Sequence, residues 1–508
     1  MSLILQAPLA DRRVRLALSA AAGAALSAAF APLDLWLLAL LSPALLMALW
    51  QDAPPRHAAA LGFWFNFGTF ATGTYWLFIS IHEVGAAPVW VALIAMAALV
   101  CVLSLYGALL GWVVARWLPA TGALRWLAGL PAAWLLVEWF RGWFLTGFPW
   151  LSLGYSQTGT WMAGLAPVLG VYGLSALLLL GAGALLTLVL GRRGERALAA
   201  VVLVLVWGVP GLLRGIAWTH PAGPAVSVAI VQGAIPQDEK WQDTHLDAQL
   251  DTYRDLTRQA LGAQVIVWPE AALPDVAQHL GDYLLARYHE AHARHSALVV
   301  GMLRETPTGD YYNSILTMGE SVEWYDKMHL VPFTEVIPVP AFARQWLRLM
   351  DLPYEDFQYG AAHQPPLAAG GLVLLPAICY DDAYGSSNLD MLRTANALVT
   401  VTNDAWFGHS TARYQHLQIA QMRALETSRY LIRAANDGIS AIIGPDGRVR
   451  KTAPGYVPTV LRGSVVPMLG LPPYARFGNW LIISLGATTL VAILAWGFVR
   501  RSGRSLGR

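Results

Sequence analysis

Long apolar segments and short alternating segments divide the chain into two kinds of sequence. Each apolar segment is close to the ~20 residues that an α-helix needs to cross a bilayer, so the pattern predicts eight transmembrane helices. Seven of them are centred on Ala22, Leu41, Thr69, Ala97, Ala132, Leu178 and Leu205, and the eighth covers 480–499. No clear small-residue cleavage site follows the first segment, so we expect it to remain as a helix rather than be removed as a signal peptide.

The stretch at about 226–467, between the seventh and eighth apolar segments, has a different pattern. Short runs rich in β-branched residues alternate there with helix-like segments. The clearest predicted helices are 245–261 and 413–428. The predicted strands are 226–231, 264–268, 297–302, 312–318, 372–378, 397–402 and 439–443. Such alternation predicts one α/β domain in which helices cover sheets.

Arginines in the short loops predict the orientation in the membrane. Alternate loops carry nearly all of them: Arg12, Arg13, Arg15, Arg56, Arg116, Arg125, Arg192, Arg193, Arg196 and the tail arginines at 500, 501, 504 and 508. The opposite loops carry almost none except Arg141. By the positive-inside rule both termini face the cytoplasm. The predicted domains are therefore residues 1–220 with seven helices, an extracytoplasmic α/β domain at 221–470, and 471–508 with the eighth helix and a cytoplasmic tail.

Composition narrows the class of protein. Of the 508 residues, 56% are hydrophobic and 13% charged, and the mean hydropathy is +0.47. These values are typical of a membrane protein rather than a soluble enzyme. The net charge of +2 and the lack of basic runs interleaved with aromatics argue against nucleic-acid binding. No His/Cys cluster has zinc-like spacing, so we expect no metal.

Cys379 lies where an apolar run meets a polar turn. It follows Gly-Leu-Val-Leu-Leu-Pro-Ala-Ile and opens Cys-Tyr-Asp-Asp, which predicts a thiol at the end of a buried strand. The other cysteine, Cys101, falls in the fourth apolar segment and can hardly meet it. A lone cysteine outside the cytoplasm indicates a reactive group, but cysteine is also a common small core residue. Cys379 alone does not separate the two readings.

Two charged residues also follow predicted strands. Glu270 comes after Gln-Val-Ile-Val-Trp-Pro, and desolvation there would raise the pKa of its carboxyl group toward that of a useful general base. Lys327 follows a predicted hairpin, where an ammonium would lower the pKa of a nearby thiol and could hold an oxyanion. The alternatives are a first-turn helix acid for Glu270 and a solvated turn residue for Lys327.

Two aromatic segments are candidates for lipid contact. The outward loop 141–161 carries rings typical of a membrane interface, as anchors or as substrate contacts: Trp143, Phe144, Phe148, Trp150 and Trp161. In 341–350, Phe342 and Trp346 fall at helical spacing while the arginines lie elsewhere on the turn. That spacing predicts either a lipid-facing interfacial helix, acting as a lid, or an ordinary helix packed on its own domain.

Ordered motifs along the chain resemble a known family. The Glu, Lys and Cys motifs of the nitrilase superfamily resemble Trp-Pro-Glu at 268–270, Tyr-Asp-Lys-Met-His-Leu-Val-Pro-Phe-Thr-Glu at 325–335 and Ile-Cys-Tyr-Asp at 378–381. More narrowly, the apolipoprotein N-acyltransferase family is similar at Leu-Thr-Gly-Phe-Pro-Trp-Leu (145–151), Val-Gln-Gly-Ala-Ile-Pro-Gln-Asp-Glu-Lys-Trp (231–241), Thr-Asn-Asp-Ala-Trp-Phe-Gly (402–408) and within 415–426. The resemblance covers essentially the whole chain.

The resemblance implies a bacterial inner-membrane enzyme with an αββα nitrilase-like domain on the periplasmic face. Such an enzyme transfers an acyl chain from a phospholipid, typically phosphatidylethanolamine, to the α-amine of a diacylglyceryl-cysteine on an apolipoprotein. It needs no cofactor. By matching positions, Cys379 would be the nucleophile, Glu270 the general base, and Lys327 the group that stabilises thiolate and oxyanion. A covalent thioester would split the transfer into two easier halves.

The resemblance also implies supporting positions. Glu335 matches the family's second glutamate, which helps to orient the site, and Tyr380 matches a required residue. Asp381 stands where the family usually has Glu. We expect substrate contacts at Trp241, Gly147, Trp150, Trp406, Phe342 and Trp346.

Two other functions fit parts of the sequence. A membrane-tethered nitrilase-like amidase would use the same triad with water as acceptor, but it would have little use for eight spans or for an interfacial aromatic loop. A transporter or receptor that binds ligand without chemistry would place ionisable groups near the middle of its spans. The clearest such group, Glu138, falls near the end of the fifth predicted span.

Overall fold

The computed structural model describes residues 11–337 and 357–505, whose contacts divide the chain into two units. A helical unit runs to Ile216 and also includes Ser410–Gln415 and the C-terminal part from Phe477. An α/β unit comprises Ala217–His409 and His416–Arg476. Apolar helices and an α/β domain are both present, as the sequence predicts.

The helical unit contains a helix at each predicted apolar centre. Its helices are Arg12–Ser27, Leu38–Leu49, Pro55–Gly73, Trp76–Ile79, Val89–Trp117, Leu130–Arg141, Ala166–Leu190, Arg193–Leu213 and Trp480–Ser505, with π-helical turns at Ser80–Val84 and Arg125–Gly129. Close packing between them uses small residues: a Cβ on Gly62 would lie 2.0 Å from the carbonyl oxygen of Gly107. Such small residues let membrane helices approach closely.

Four helices in the described residues are long and apolar enough to cross a membrane: Val89–Trp117, Trp161–Leu190, Arg193–Leu213 and Trp480–Phe498. The other predicted spans are helical but shorter or less apolar. Leu38–Leu49 has 12 residues with Pro43 inside, and at about 1.5 Å per residue it is shorter than the ~30 Å hydrocarbon core. The chain is therefore a helical membrane protein, while the number of eight spans stays a prediction.

The α/β unit contains two six-stranded sheets. The strands are β1 (His220–Pro221), β2 (Val226–Gln232), β3 (Val265–Val267), β4 (Ala297–Glu305), β5 (Tyr311–Met318), β6 (Val322–Asp326), β7 (Leu367–Ala369), β8 (Leu372–Ile378), β9 (Ala397–Thr402), β10 (Leu431–Ala435), β11 (Ala441–Ile443), β12 (Val449–Thr452), β13 (Thr459–Val465) and β14 (Met468–Leu469). One sheet has the order β13-β2-β3-β4-β5-β6 and the other β12-β11-β10-β9-β8-β7, while β1 pairs with β14. The pairs β2–β3, β3–β4, β8–β9 and β9–β10 are parallel.

Alternation along the strands explains the layers. In β2, Val228 and Ile230 join a core shared by both sheets, whereas Ala229 and Val231 join a second core beneath the outer helices. Successive side chains of a strand point to opposite faces, so one strand supplies both cores. Helices Leu246–Ala260 and Gly281–His292 cover the first sheet, and the second sheet packs against Ala412–Thr427. The result is the expected nitrilase-like arrangement of two sheets between helices.

The predicted elements agree closely with these bounds. The strands predicted at 372–378 and 397–402 are confirmed as β8 and β9, and the helix predicted at 413–428 is observed as Ala412–Thr427. The sequence analysis did not single out β10 or β13, or the helix Gly281–His292. The remaining helices of this unit are Gln237–Lys240 and Pro473–Phe477.

Candidate active site

Strand ends carry the three predicted catalytic residues. Lys327 directly follows β6 and Cys379 directly follows β8, while Glu270 lies three residues beyond β3. The residues come from both sheets, so the packing of one sheet on the other brings them to one place. Hydrogen bonds between their side chains and neighbouring residues define that place.

The Glu270 carboxylate accepts hydrogen bonds at both oxygens. Oε1 accepts from the Lys327 Nζ at 3.0 Å and from the Asn313 Nδ2 at 2.8 Å. Oε2 accepts from the backbone N–H of Asn403 at 2.8 Å, just beyond β9. The side chain is buried, with a relative exposure of 6%. The chain directly after Glu270 forms turns rather than a helix, so the alternative of a helix N-cap or first-turn acid is wrong.

Lys327 is held between two carboxylates. Its Nζ donates to the Oε1 of Glu270 at 3.0 Å and to the Oε1 of Glu335 at 2.9 Å. The residue is only 1% exposed, so it is not a solvated turn lysine. Burial by itself would lower its pKa, but the Glu270 and Glu335 carboxylates raise the pKa of Lys327 well above its ordinary value. The side chain is therefore a permanent cation.

Glu335 completes a small cage around the ammonium. Its Oε1 also accepts from the Asn313 Nδ2 at 2.8 Å, and its Oε2 accepts from the backbone N–H of Val331 at 2.8 Å. Asn313, on β5, thus bridges both glutamates. Asn313 could not be predicted from the sequence, because an asparagine within a strand has no signal of its own. The shared Asn313 amide and the Lys327 ammonium hold the two carboxylates together.

The expected rise in the pKa of Glu270 is wrong. Burial raises it, but the Lys327 ammonium together with the Asn313 amide more than offsets that effect, so the pKa of Glu270 lies below its ordinary value. Hydrogen bonds and an opposite charge favour the ionised form. Glu270 is therefore a carboxylate in the resting site, ready to accept a proton.

Cys379 adopts a backbone conformation that is rare for its residue type. Its φ is +48°, in the left-handed region, at the point where β8 turns into the 3₁₀ segment Cys379–Ala383. Non-glycine residues seldom adopt this region, and such outliers cluster at functional sites. The strand-to-turn position predicted for the thiol is confirmed.

Lys327 lowers the pKa of the Cys379 thiol, as expected, but its effect is outweighed. Burial, and after it the Glu270 carboxylate, raise the pKa of Cys379 well above its ordinary value, although Lys327 acts in the opposite direction. The Cys379 thiol of the resting enzyme is therefore protonated, whereas the Glu270 carboxyl group is ionised.

Asp381 braces the turn that carries the thiol. Its Oδ1 accepts from the backbone N–H of His329 at 2.7 Å, and its Oδ2 accepts from the Ile378 N–H at 3.2 Å and the Tyr325 hydroxyl at 3.1 Å. Burial raises the pKa of Asp381 to about 7. These contacts account for a short acidic side chain at this position, and they tie the turn to the end of β6.

A second group of buried charges lies behind the turn. Asp382, Asp404, His416 and Arg433 form ion pairs with one another, and each is at most 2% exposed. His416 also approaches the backbone carbonyl of Cys379 at 3.2 Å. Asp404 and His416 lie in motifs that resemble the family, but the sequence alone indicated no role for either residue. A charged residue within the apolar run of β10, Arg433, was the available signal.

Lys240 is a further buried cation that the sequence analysis did not place at the site. Its Nζ donates to the backbone carbonyl of Glu270 at 3.4 Å and lies 5.9 Å from the Trp241 ring centroid. Burial lowers the pKa of Lys240 to about 8, although Glu270 opposes this change. Glu270 thus has ammonium groups in contact with both its side chain and its backbone.

The predicted substrate residues of the α/β unit differ in exposure. Trp241 is 43% exposed at the end of Gln237–Lys240. Tyr380 and Trp406 are half-buried, and the Tyr380 ring packs edge-on against Tyr384 at 5.3 Å. Their contacts with substrate stay predictions. Phe342 and Trp346, with the predicted helix 341–350, lie outside the described residues.

Gly147 and Trp150 belong to the helical unit. Gly147 has φ +80°, and a Cβ there would lie 2.2 Å from the carbonyl oxygen of Gly142, so the turn requires glycine. Trp150 is buried, and its Nε1 donates to the Oε1 of Gln415 at 2.7 Å. Both residues thus have structural roles in their own unit. Substrate contacts there stay predictions.

Glu138, the acid that a transporter would need, is engaged within its own unit. Its Oε1 accepts from the Ser175 hydroxyl at 2.5 Å, and its Oε2 accepts from the Leu153 N–H at 3.3 Å. These contacts tie the helix Leu130–Arg141 to its neighbours. A structural role accounts for the buried carboxylate.

Two family models match the two parts of the chain. The family model "Apolipoprotein N-acyltransferase N-terminal domain" matches residues 22–184, and "Carbon-nitrogen hydrolase" matches 227–465. Among solved structures, a carbon-nitrogen hydrolase from Helicobacter pylori is 15% identical with a TM-score of 0.37, covering 51% of this chain and 95% of that one. An amidase from Nesterenkonia is 20% identical with a TM-score of 0.35, covering 50% of this chain and 95% of the other.

The two family models, together with the apolar helices, indicate a membrane-bound enzyme with a carbon-nitrogen hydrolase domain. Full-length relatives identify the group within that class. The chain is 44% identical to apolipoprotein N-acyltransferase of Azotobacter vinelandii over 95% of both chains. It is 41% identical to that of Pseudomonas putida, covering 95% of this chain and 96% of the relative, and 42% identical to that of Methylococcus capsulatus, covering 92% and 93%. The chain belongs to the apolipoprotein N-acyltransferase family.

Proposed function

We propose that the protein transfers an acyl chain from a phospholipid to the α-amine of the diacylglyceryl-cysteine at the N-terminus of an apolipoprotein. The donor is typically phosphatidylethanolamine, and Cys379 carries the acyl group as a thioester between two half-reactions. The single observation that carries the proposal is the Lys327 ammonium held by the Glu270 and Glu335 carboxylates at 3.0 and 2.9 Å, together with the position of Cys379 at the end of β8. Family membership supports the lipoprotein acceptor.

The first half-reaction forms the thioester. Glu270 accepts the thiol proton as the sulfur attacks the ester carbonyl carbon, and Lys327 donates hydrogen bonds to the oxyanion that develops. The tetrahedral intermediate collapses as the ester C–O bond breaks. Glu270 then returns its proton to the leaving alkoxide, which departs as a lysophospholipid. The site is left with an acylated Cys379 and an ionised Glu270.

The second half-reaction consumes the thioester. The neutral α-amine attacks the thioester carbonyl, and Glu270 takes a proton from the attacking nitrogen. The C–S bond breaks, an amide forms, and the thiolate recovers its proton from Glu270. Every group returns to its resting protonation state. The Glu335 and Asn313 hydrogen bonds hold Lys327 and Glu270 in place throughout.

We also propose a periplasmic placement of residues 221–470, in the inner membrane of a bacterium. Eight spans with both termini in the cytoplasm explain the one-sided arginines of the short loops. A membrane-impermeant thiol reagent applied to intact spheroplasts should label Cys379. Labelling of that thiol only in inside-out vesicles would reverse the orientation.

Aromatic residues supply the proposed substrate contacts. Trp241 could contact a lipid chain, because its large apolar side chain is exposed rather than covered by its own domain. In the sequence, Tyr380 directly follows Cys379, and Trp406 lies two residues after Asp404. We include Gly147, Trp150, Phe342 and Trp346 on the family resemblance.

Trapping the covalent intermediate tests the proposal. Enzyme incubated with phospholipid and no acceptor should gain one acyl chain on Cys379, measured by intact-protein and peptide mass spectrometry. The adduct should be labile to hydroxylamine and absent in Cys379→Ala. Cys101→Ser is the matched control, because that thiol lies in the helix Val89–Trp117, far from the site in sequence; this variant should keep the adduct.

The acceptor then distinguishes transfer from hydrolysis. A diacylated lipopeptide with a free α-amine should discharge the thioester, and its N-acetylated form should not. Loss of the adduct in buffer alone, indifferent to lipopeptide, would favour the amidase. An absence of adduct during turnover would remove Cys379 as the nucleophile.

A further inference from the structure

Four buried charged residues form a closed group behind the nucleophile. Asp382, Asp404, His416 and Arg433 are 2%, 2%, 0% and 0% exposed, respectively. Arg433 donates from Nη2 to the Oδ2 of Asp404 at 2.9 Å and from Nη1 to the Oδ2 of Asp382 at 3.4 Å. The steps of acyl transfer described above use none of the four.

His416 contacts an acceptor at each ring nitrogen. Its Nδ1 lies 2.9 Å from the Oδ1 of Asp404. Its Nε2 lies 3.1 Å from the Oδ1 of Asp382 and 3.2 Å from the backbone carbonyl oxygen of Cys379. A neutral imidazole carries one N–H only, so acceptors at both nitrogens require the doubly protonated ring.

Charge balance supports the same protonation state. Two carboxylates, one guanidinium and one imidazolium sum to zero, whereas a neutral ring would leave a buried net negative charge. Burial and Arg433 would each lower the pKa of His416, but Asp382 and Asp404 raise it to about 9. The ring is therefore an imidazolium that donates two hydrogen bonds to carboxylates and shares one of them with the Cys379 carbonyl.

That carbonyl belongs to the strained residue of the site. Cys379 has φ +48°, a conformation that costs a non-glycine residue on the order of 1–3 kcal/mol unless its surroundings hold it. The hydrogen bond from His416 fixes the peptide plane that follows Cys379. When the peptide plane after Cys379 is fixed, the direction of the Cα–Cβ bond is restricted. The positions that the sulfur can occupy are then restricted as well.

We propose that His416 is a positioning residue for acyl transfer: held by Asp382 and Asp404 and balanced by Arg433, it donates to the Cys379 carbonyl and keeps the thiol aimed at the substrate carbonyl. The proposal rests on the proposed function, in which Cys379 is the nucleophile. A buried ion cluster contributes little net stability compared with apolar packing. We therefore assign this cluster the role of fixing the positions of its side chains.

Two substitutions at His416 separate positioning from charge. In His416→Gln, the amide nitrogen falls near the place of Nε2 and can still donate to the Cys379 carbonyl. In His416→Asn, the amide nitrogen falls near the place of Nδ1, so it keeps the Asp404 contact but loses the carbonyl. Both variants lose the same positive charge, and they should be similarly destabilised.

The kinetics of the full-length enzyme in detergent give the readout. His416→Asn should lower kcat about 10²-fold, as expected for a misplacement on the order of 1 Å, while KM for the lipopeptide stays unchanged. His416→Gln should recover most of that loss. Alkylation of Cys379 by iodoacetamide should slow in the same order, because it reports on the sulfur without any lipid.

Two further variants distinguish a positioning role of His416 from a purely structural one. Tyr283→Phe removes a hydrogen bond of 2.7 Å from the Tyr283 hydroxyl to the Leu250 carbonyl, remote from Cys379 in the fold, and should leave kcat unchanged. If His416→Asn does not fold, Asp404→Asn loosens the same ring. It should lower kcat and the alkylation rate at unchanged KM.

The outcomes are separable. Equal kcat values for His416→Asn and His416→Gln, or an unchanged kcat in Asp404→Asn, would overturn the role of His416. If the His416 prediction fails but Cys379→Ala is inactive in the same assay, only the role of His416 is refuted and the proposed function stands. Activity in Cys379→Ala would instead refute the proposed function itself.

Discussion

Replacing Lys327 by methionine should destabilise the protein through the carboxylates that it leaves behind. Methionine has a similar length but no charge, so Glu270 and Glu335 would stay buried without the ammonium between them. They would keep neutral donors: the Asn313 amide and the backbone N–H groups of Asn403 and Val331. Two such neighbouring carboxylates cannot both remain ionised at low cost, and one should take up a proton near neutral pH. The general base would then be partly lost together with the oxyanion donor.

The magnitude follows from the burial of the pair. Removing one partner of a buried ion pair costs about 3–5 kcal/mol, and a domain of this size loses about 2–4 °C in unfolding temperature per kcal/mol. Lys327→Met should therefore lower the unfolding temperature by roughly 10 °C. Adding Glu270→Gln removes the uncompensated charge, so the double variant should be more stable than additivity predicts by about 1–3 kcal/mol.

The pH dependence has a definite sign. In the wild type the pKa of Glu270 lies below its ordinary value of 4.5, so its contribution to stability is present above that value and is lost as the pH falls through the folded pKa. In Lys327→Met the carboxyl pKa lies above the unfolded value, which reverses the sign. That variant should gain stability as the pH falls from about 7 toward 4.5.

Thermal unfolding of the full-length protein in detergent, followed by tryptophan fluorescence at pH 7.5 and 5.5, measures these effects. The wild type, both single variants and the double variant form one thermodynamic cycle. All three variants should lack acyl transfer, which shows that recovered stability is not recovered activity. Strictly additive losses, or a Lys327→Met variant that is less stable at pH 5.5 than at pH 7.5, would refute the buried-pair reasoning.

Three further predictions concern separate features. Lys327→Arg keeps the charge but places a bulky planar fork in the cage, so acyl transfer should fall at least ~10²-fold; a near-wild-type rate would exclude a specific role for the ammonium. The pKa of His416 is raised to about 9 from 6.5, so its contribution to stability is complete below about 6.5 and lost as the pH rises toward 9. The unfolding temperature should fall over that interval more steeply in the wild type than in His416→Gln. Replacing Phe342 and Trp346 with Ser should impair turnover of long-chain lipids far more than that of a short soluble ester, and equal loss on both would indicate misfolding.

Hydrophobic pattern predicted the strands of the site well because each one is a short buried run with a polar end. β8 and β9 have the predicted bounds, and the thiol lies at the predicted strand terminus. The pattern could not predict the partners of the catalytic residues. Asn313 is the third residue of the antiparallel strand β5, and its contacts with Glu270 and Glu335 depend on strand register and chain folding.

The transmembrane count was harder to predict for a physical reason. A hydropathy window detects the length of an apolar segment, whereas the length of a helix depends on where its backbone hydrogen bonds end. Pro43 lies inside the 12-residue helix Leu38–Leu49, and Pro55–Gly73 carries polar residues along an otherwise apolar face. Packing against other helices can bury the polar groups of such segments. Hydropathy alone therefore does not determine whether each segment crosses the membrane.

The pKa values of both catalytic candidates depend on opposing effects. Burial raises the pKa of Glu270, but the Lys327 ammonium and the Asn313 amide outweigh it. For Cys379, burial and the Glu270 carboxylate outweigh Lys327. Lys327 itself contacts two carboxylates, at 3.0 and 2.9 Å. One ammonium against two carboxylates leaves a negative local charge, which disfavours a third anion on the Cys379 sulfur. Transfer of the thiol proton to Glu270 removes one carboxylate charge as the thiolate forms, so the net charge of the buried site does not change. On the proposed mechanism, the Cys379 nucleophile is therefore activated by proton transfer at the moment of attack, and the resting enzyme keeps its sulfur protonated and less open to adventitious oxidation.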